Sequence, residues 1–427
     1  MVLDYTENSS SSGRENFLNG LTDFGVSALP ATAEELAAHP EYRDFTYVPL
    51  MASAVVIAYN FVDPYTGTQL DNVVLSPRLV ARIITNSSLE TFFLDRELLR
   101  LNPGVRFPTG TLARPLLRAE RNADTRILTS WFSSDAGAKL FLAGADTYRI
   151  PVNLAYAGYP YPQDLFETVS LDSEYFPRQG QRANALRLFY GVTSRGIFKE
   201  NTSLTGLVSI LDLPTARRFG LKVAKLAQSD GTSLAPSDEA ILAGIDDMDS
   251  SAEGVLVSDP TPEDLTAYPL VKIDYALVPK TIGEQIKLEK IKRVLKFALN
   301  DGQTGLPSGY VALPEAIRLE GISALKEVSG TTTTVTPTTV KPYRPPTNTV
   351  ASDTSMTSTT AIPTTTSTTT TSTTTTSTLS PITVPVAVGG LPSSGTSKSG
   401  ILFAGLIGLS GATLLGTIRP RQKARRR

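Results

Sequence analysis

Arginine, serine and acidic residues, rather than cysteine or histidine, carry the chemistry open to this chain of 427 residues. It has no Cys and a single His, which excludes a disulfide scaffold, a thiolate zinc site, a cysteine nucleophile and a multi-histidine metal site. That histidine, His39, sits in Ala37-Ala38-His39-Pro40 just before a turn and reads as incidental. Asp246-Asp247-Met248-Asp249 lacks the remaining ligand spacing of a calcium loop and reads as a solvated acidic loop. No nucleophile–base pair or Gly-rich nucleotide loop is visible, so neither an enzymatic activity nor a cofactor is called for. Two segments remain. Ser9-Ser10-Ser11-Ser12-Gly13-Arg14 precedes a helix predicted over Glu15–Asn19. It is either a polar loop with an N-cap serine or a helix entrance whose unpaired amides take an anion. Arg118-Ala119-Glu120-Arg121-Asn122-Ala123-Asp124-Thr125 holds an arginine whose planar fork suits an oxyanion. The alternative is that Arg118 simply pairs with Glu120 or Asp124 at the surface.

The elements that must position these segments follow from periodicity. Short apolar runs predict strands at Phe45–Leu50, Ala54–Tyr59, Leu207–Leu211 and Val271–Val278. Helices are predicted over Pro77–Thr85, Asp95–Leu101, Thr215–Phe219 and Glu284–Asn300, the last with Ile286, Ile291, Val294, Leu295 and Ala298 sharing a face. Alternation of the two predicts an α/β architecture with mainly parallel sheets. Lys287, Lys290, Lys292, Arg293 and Lys296 surround the last helix and read as a solvated face. The formal net charge is −1, with 40 Lys+Arg against 41 Asp+Glu, which argues against nucleic acid as a partner.

Several blocks, in order, resemble the phosphate-binding proteins of phosphate ABC transporters. They are Asp23-Phe24-Gly25-Val26-Ser27, Val48-Pro49 through Ala58-Tyr59-Asn60, Leu75-Ser76-Pro77-Arg78-Leu79 and Leu101-Asn102-Pro103-Gly104. Leu211-Asp212, Ala216, Phe219-Gly220-Leu221 and Ala224 follow, then Gly302-Gln303, Gly305-Leu306-Pro307, Gly309-Tyr310 and Leu313-Pro314. The similarity runs over residues 3–320. It implies a type II periplasmic-binding-protein-like fold, in which two α/β lobes joined by two crossover strands close on an anion. Lobe 1 would comprise 1–61 plus 269–329, and lobe 2 would comprise 62–268. Members of the family begin with a further strand, phosphate-contacting loop and helix before the segment matched by Leu3-Asp4-Tyr5, so the resemblance implies an N-terminally truncated lobe 1 with an exposed sheet edge.

The resemblance also implies a site. The family grips dehydrated phosphate with helix N-terminal amides, hydroxyls, one Arg and one carboxylate. Here Ser10, Ser11 and Gly13 fall in the first phosphate loop, with Ser10 at the contacting position. Arg118 matches the gripping arginine of Arg-x-Asp-Gly-Ser-Gly-Thr, with Asn122 and Thr125 in the same loop. Asn122 replaces the serine, Ala123 the glycine and Asp124 the threonine. Asp124 thereby brings a carboxylate to the anion position, a like-charge repulsion of a few kcal/mol at ~4 Å. The aspartate that accepts the proton of monohydrogen phosphate is Ala28 here. Losing that acceptor costs roughly 1–3 kcal/mol, which weakens selectivity for phosphate over sulfate. Trp131 stands where the family keeps an aromatic and reads as packing.

The C-terminal part is of another kind. Residues 330–390 form a Thr/Ser/Pro-rich stalk, with runs such as Thr368–Thr371 and Thr373–Thr376, too poor in apolar surface to fold and therefore expected to be disordered. Within 391–427 come Leu391-Pro392-Ser393-Ser394-Gly395, an uncharged apolar run over Gly400–Ile418 and a basic tail from Arg419 to Arg427. A helix over 400–418 would be roughly 28 Å long and can span a bilayer once. The basic tail would stay on the cytoplasmic side. The order resembles a cell-wall sorting signal, with Ser394 in place of Thr, which implies a sortase and peptidoglycan as partners; a plain membrane anchor is the alternative. Met1–Asn8 has neither a basic region nor an apolar core and is no secretory signal, so the start at Met1 reads as internal. Two functions fit. One is a surface-anchored, extracytoplasmic binding protein for phosphate or another small oxyanion that serves an ABC transporter permease. The other is a surface scaffold or adhesion protein that has lost the anion site.

Overall fold

The structure is a computed structural model that describes residues 8–40, 44–166, 180–193 and 206–330. The stalk, the Leu391–Gly395 motif, the apolar run over 400–418 and the start at Met1 lie outside the described residues. Among the described residues no helix is long and apolar enough to cross a membrane.

The chain opens with α1 (Ser10–Leu18), β1 (Gly25–Ser27), α2 (Ala33–Ala38) and the 15-residue strand β2 (Phe45–Tyr59). There follow β3 (Val74–Leu75), α3 (Pro77–Ile84), α4 (Arg96–Leu101), β4 (Arg114–Leu116), α5 (Ala123–Ser134), α6 (Ala136–Leu142) and α7 (Gln181–Thr193). Next come β5 (Leu207–Asp212), α8 (Leu213–Arg218), β6 (Lys222–Val223), β7 (Lys225–Ala227), β8 (Ser233–Leu234), α9 (Asp238–Asp246), β9 (Asp249–Ser250) and β10 (Leu256–Val257). The chain returns through β11 (Val271–Pro279), β12 (Thr281–Ile282), α10 (Gln285–Leu299), α11 (Glu315–Glu327) and β13 (Ser329–Gly330).

The two runs predicted at Phe45–Leu50 and Ala54–Tyr59 are one strand, buried from Val48 onward, as a strand covered on both faces must be. The main sheet runs β1-β11-β2-β5-β4, with β6 also on β2. Its pairs are antiparallel except β4 with β5. This corrects the expected mainly parallel sheet. The longest strands, β2 and β11, are not joined by one crossover helix; the whole run 60–270 lies between them, so β11 returns opposite to β2.

β2 and β11 are each shared by two cores. Ala52–Tyr59, Val271, Ile273 and Tyr275 pack with α3, α5 and α8, whereas Val48, Leu50, Ala276 and Val278 pack with α10 and α11. The result is a mixed α/β fold of two lobes. On α10 the buried stripe is Leu288, Ile291, Val294, Leu295 and Ala298. Ile286 is 59% exposed and lies off the face predicted for it, because Leu288 stands one turn before Ile291 and Ile286 does not.

Between the cores the β2–β11 register slips, with Asp274 opposite Met51 but Tyr275 opposite Pro49. Pro49 has no N–H to give the ladder, and Leu50 is left as the extra residue of a bulge. The Leu50 carbonyl instead accepts a hydrogen bond from Gln303 Nε2 at 2.8 Å. Close by, Gly309 has φ +97°, and a Cβ there would lie 2.7 Å from the Pro214 nitrogen and 2.8 Å from the Leu213 carbonyl carbon. Both conformation and space demand glycine. Gly309→Ala is expected to lower unfolding free energy by about 2–4 kcal/mol in urea titration.

Candidate functional site

At the entrance of α1 the Ser9 side chain accepts the Ser12 amide at 3.2 Å, so Ser9 is the helix cap and Ser10 the first helical residue. In such a first turn the next amides have no intrahelical acceptor. Arg14, one turn on, is buried and fixes the helix: Nε and Nη2 donate to Glu35 at 2.8 and 2.9 Å, and Nη1 donates to Ser27 Oγ at 2.8 Å. Its Nη2 also donates to Ser11 Oγ at 3.3 Å. Gly13 is buried against β1, where a Cβ on Gly25 would meet the Gly13 carbonyl at 2.8 Å.

Arg118 lies between β4 and α5, its side chain only 3% exposed. Nε and Nη2 donate to Glu120 Oε1 at 2.9 and 2.7 Å. Nη1 donates to Gln181 Oε1 at 2.8 Å and to Asp124 Oδ2 at 3.3 Å. Gln181, at the start of α7, passes the network on by donating from Nε2 to Thr215 Oγ1 at 2.7 Å. Asn122 caps α5, accepting the Thr125 amide at 2.8 Å and donating from Nδ2 to the Glu120 carbonyl at 2.8 Å. It therefore also shapes the loop that presents Glu120.

Behind Arg118 lies a buried group of charges. Lys272 Nζ on β11 donates to Asp124 Oδ1 at 2.9 Å. Burial works against the Asp124 carboxylate, but Lys272 and Arg118 outweigh it and hold the carboxyl below its ordinary range. Burial likewise opposes the Lys272 charge, yet Asp124, Asp274 and Asp212 keep it protonated above its usual value. Burial pushes Asp274 up to about 6, with Lys272 only partly countering and Asp124 and Asp212 adding to the rise. Its Oδ2 is buried without a hydrogen-bond partner among the described residues. Asp124 thus differs from the expectation: its charge is met by Lys272 from behind, and it is not a wall residue of the cavity in front.

That cavity, of about 490 Å³, has Ser9 and Ser12 of the α1 entrance on its wall together with Arg118, Glu120, Gln181 and Arg182. It therefore joins the starts of α1 and α7 to the Arg118 loop, a set of positive helix ends and guanidinium groups suited to an anion. Of the residues singled out from sequence, Arg118 lines the cavity. Ser10 and Ser11 follow the capping Ser9 on α1 but are not among the wall residues; neither are Gly13, Asn122 and Thr125, which are taken up in packing and capping. Ala28 is buried and offers no acceptor, and Trp131 is buried on α5. Sequence reasoning missed Lys272 and Asp274, although charges inside the apolar run Val271–Val278 were a signal. It also missed Gln181 and Arg182, which no motif marks.

A family profile described as a PBP superfamily domain matches residues 1–281. The chain belongs to this family. Among solved structures, this PBP superfamily member is similar in fold to a phosphate-binding protein from Stenotrophomonas maltophilia, at 16% identity and TM-score 0.48, over 73% of this chain and 84% of that one. It is similar also to a human phosphate-binding apolipoprotein, at 13% identity and TM-score 0.48, over 74% and 86%. No curated protein sequence matches it.

The charge group of this PBP domain sets a pH dependence. The ordinary Asp value is 3.8 and the folded Asp274 value is about 6, so the folded state binds the extra proton between them. The stability due to this group is complete below 3.8 and is lost as pH rises through 6. Asp274→Asn removes that loss. Relative to wild type, its unfolding free energy is expected to improve by about 1–3 kcal/mol between pH 5 and pH 8, measured by urea unfolding at both.

Proposed function

We propose that this chain is an extracytoplasmic solute-binding protein that takes phosphate or a related small oxyanion between two lobes. The observation that carries the reading is that the capped entrance of α1 and the buried Arg118 guanidinium belong to the wall of one cavity. Lobe 1 is read as 1–61 with 269–329 and lobe 2 as 62–268. Closure would then work about β2 and β11, the strands both cores share, with tighter ligand contact in the closed form driving the change. Ser9 and Ser12 on the cavity wall would donate to the anion, with Ser10 and Ser11 completing the first turn of α1, and Arg118, whose position its carboxylate and amide partners fix, would supply charge. Asn122 and Thr125 would shape the loop around it.

The phosphate-binding proteins of similar fold bear the same ligand class in their names. Beyond the domain, the apolar run over 400–418 would hold the protein to the membrane, with the 330–390 stalk as spacer. Leu391–Gly395 would serve a sortase that joins the protein to peptidoglycan, and an ABC transporter permease would receive the solute.

A second reading, a surface scaffold without a ligand, is favoured by Ala28 and by the number of groups already bonded to Arg118. Calorimetry with inorganic phosphate separates the two. The binding reading expects saturable heat that Arg182→Ala weakens about tenfold, or 1.4 kcal/mol, without a change in melting temperature, since Arg182 is exposed. No heat up to millimolar phosphate would leave only the scaffold.

A further inference from the structure

The cavity is larger than the anion read into it. It measures about 490 Å³, and cavities of about 300–1,000 Å³ are those that enclose whole small organic molecules. A tetrahedral oxyanion takes the place of roughly four waters, or about 120 Å³ at ~30 Å³ each, which leaves about three quarters of the space. What lines the remainder also differs from what an oxyanion needs. Ala183 and Leu186 of α7 are on the wall beside Arg182, about 4.5 Å apart along the helix axis and neighbours on its surface. Neither belongs to the stripe with which α7 packs on the core, which is Ala185 and Leu188 with the buried Asn184. Both are half-buried. An aliphatic side chain has no hydrogen bond to give an anion or the waters around it.

We propose that the ligand of this cavity is a phosphomonoester with a short aliphatic body, its anionic head at Arg118, Arg182 and the helix starts, its carbon chain over Ala183 and Leu186. This rests on the reading of the cavity as an oxyanion site and names the ligand class within it. A phosphomonoester keeps a tetrahedral head of charge about −1.5 to −2 at neutral pH, so it asks of the positive groups what a free oxyanion asks. Among the described wall residues two guanidinium groups stand against one carboxylate, Glu120, a surplus of positive charge that suits such a head. Inorganic phosphate in the same place leaves the rest of the volume to water, which stands against Leu186 without a hydrogen bond on that side. Carbon in place of that water takes apolar surface out of solvent on both partners, and binding tightens with each methylene until the wall is covered. Arg182 and Ala183 are consecutive, so the change from charged to apolar wall falls within one turn of α7, where the head ends and the body begins.

The test is calorimetry on the full chain at pH 7 with inorganic phosphate, methyl phosphate and n-butyl phosphate, for wild type, Leu186→Ala and Ala183→Leu. Wild type is expected to bind n-butyl phosphate at least about tenfold more tightly than inorganic phosphate, with methyl phosphate between them. Leu186→Ala, which cuts back the apolar wall, is expected to bring n-butyl phosphate and inorganic phosphate within about threefold. Ala183→Leu fills part of the space and is expected to weaken n-butyl phosphate more than inorganic phosphate. Should neither variant fold, the three-ligand comparison on wild type decides alone. Inorganic phosphate bound by wild type as tightly as n-butyl phosphate, or an unchanged ratio in folded Leu186→Ala, would overturn the phosphomonoester assignment while leaving an oxyanion site. No heat with any of the three would overturn the oxyanion reading itself, and this assignment with it.

Discussion

The contact on which this molecule turns is the ion pair between Lys272 and Asp124. Lys272 stands on β11, a strand that both cores share, and Asp124 stands in the first turn of α5 beside the loop of Arg118. A charge so deep needs a partner, because an isolated buried ion costs several kcal/mol even after relaxation. Lys272 meets that demand for Asp124, and Asp124 in turn helps hold the Arg118 fork. Removing either would strand a charge beside the Arg118 fork, which Glu120 and Gln181 also hold. The Arg118 loop is therefore tied to the strand both cores share as well as to its own neighbours.

Around this contact the groups divide their work. Glu120 and Gln181 fix the guanidinium laterally, while Gln181 and Thr215 carry the network on towards the start of α8. The entrance of α1 is held separately by Arg14, which spans α1, β1 and α2 through Glu35 and Ser27. The α1 entrance and the Arg118 loop thus rest on separate supports.

Much of the fold could be read from residue order. The apolar runs around Val55, Ile210 and Ile273 are strands, and Ser76-Pro77 and Asp212 start helices through side-chain caps. Sheet direction could not be read, because alternation of strands and helices says nothing of a connection that builds a whole lobe before returning. Ile286 was misplaced for a related reason: both Ile286 and Leu288 are apolar, and only packing against the core around α10 and α11 chooses between them. Arg118 stands out in sequence by type and spacing, and it lies on the cavity wall. Lys272, Gln181 and Arg182 do not stand out, since residues far apart in sequence meet at the site only through tertiary structure.

The single extra residue at Leu50 has a wider meaning. A strand covered on both faces through two interiors meets different neighbours on each face, and a shift of one position exchanges the two faces. By absorbing one residue opposite the Asp274–Tyr275 step, β2 sets the pairing phase of each half separately. Each half can then seat its side chains against its own helices without dictating which face of the strand the other half uses. The spare residue decouples the packing of the two halves while the backbone between them stays continuous.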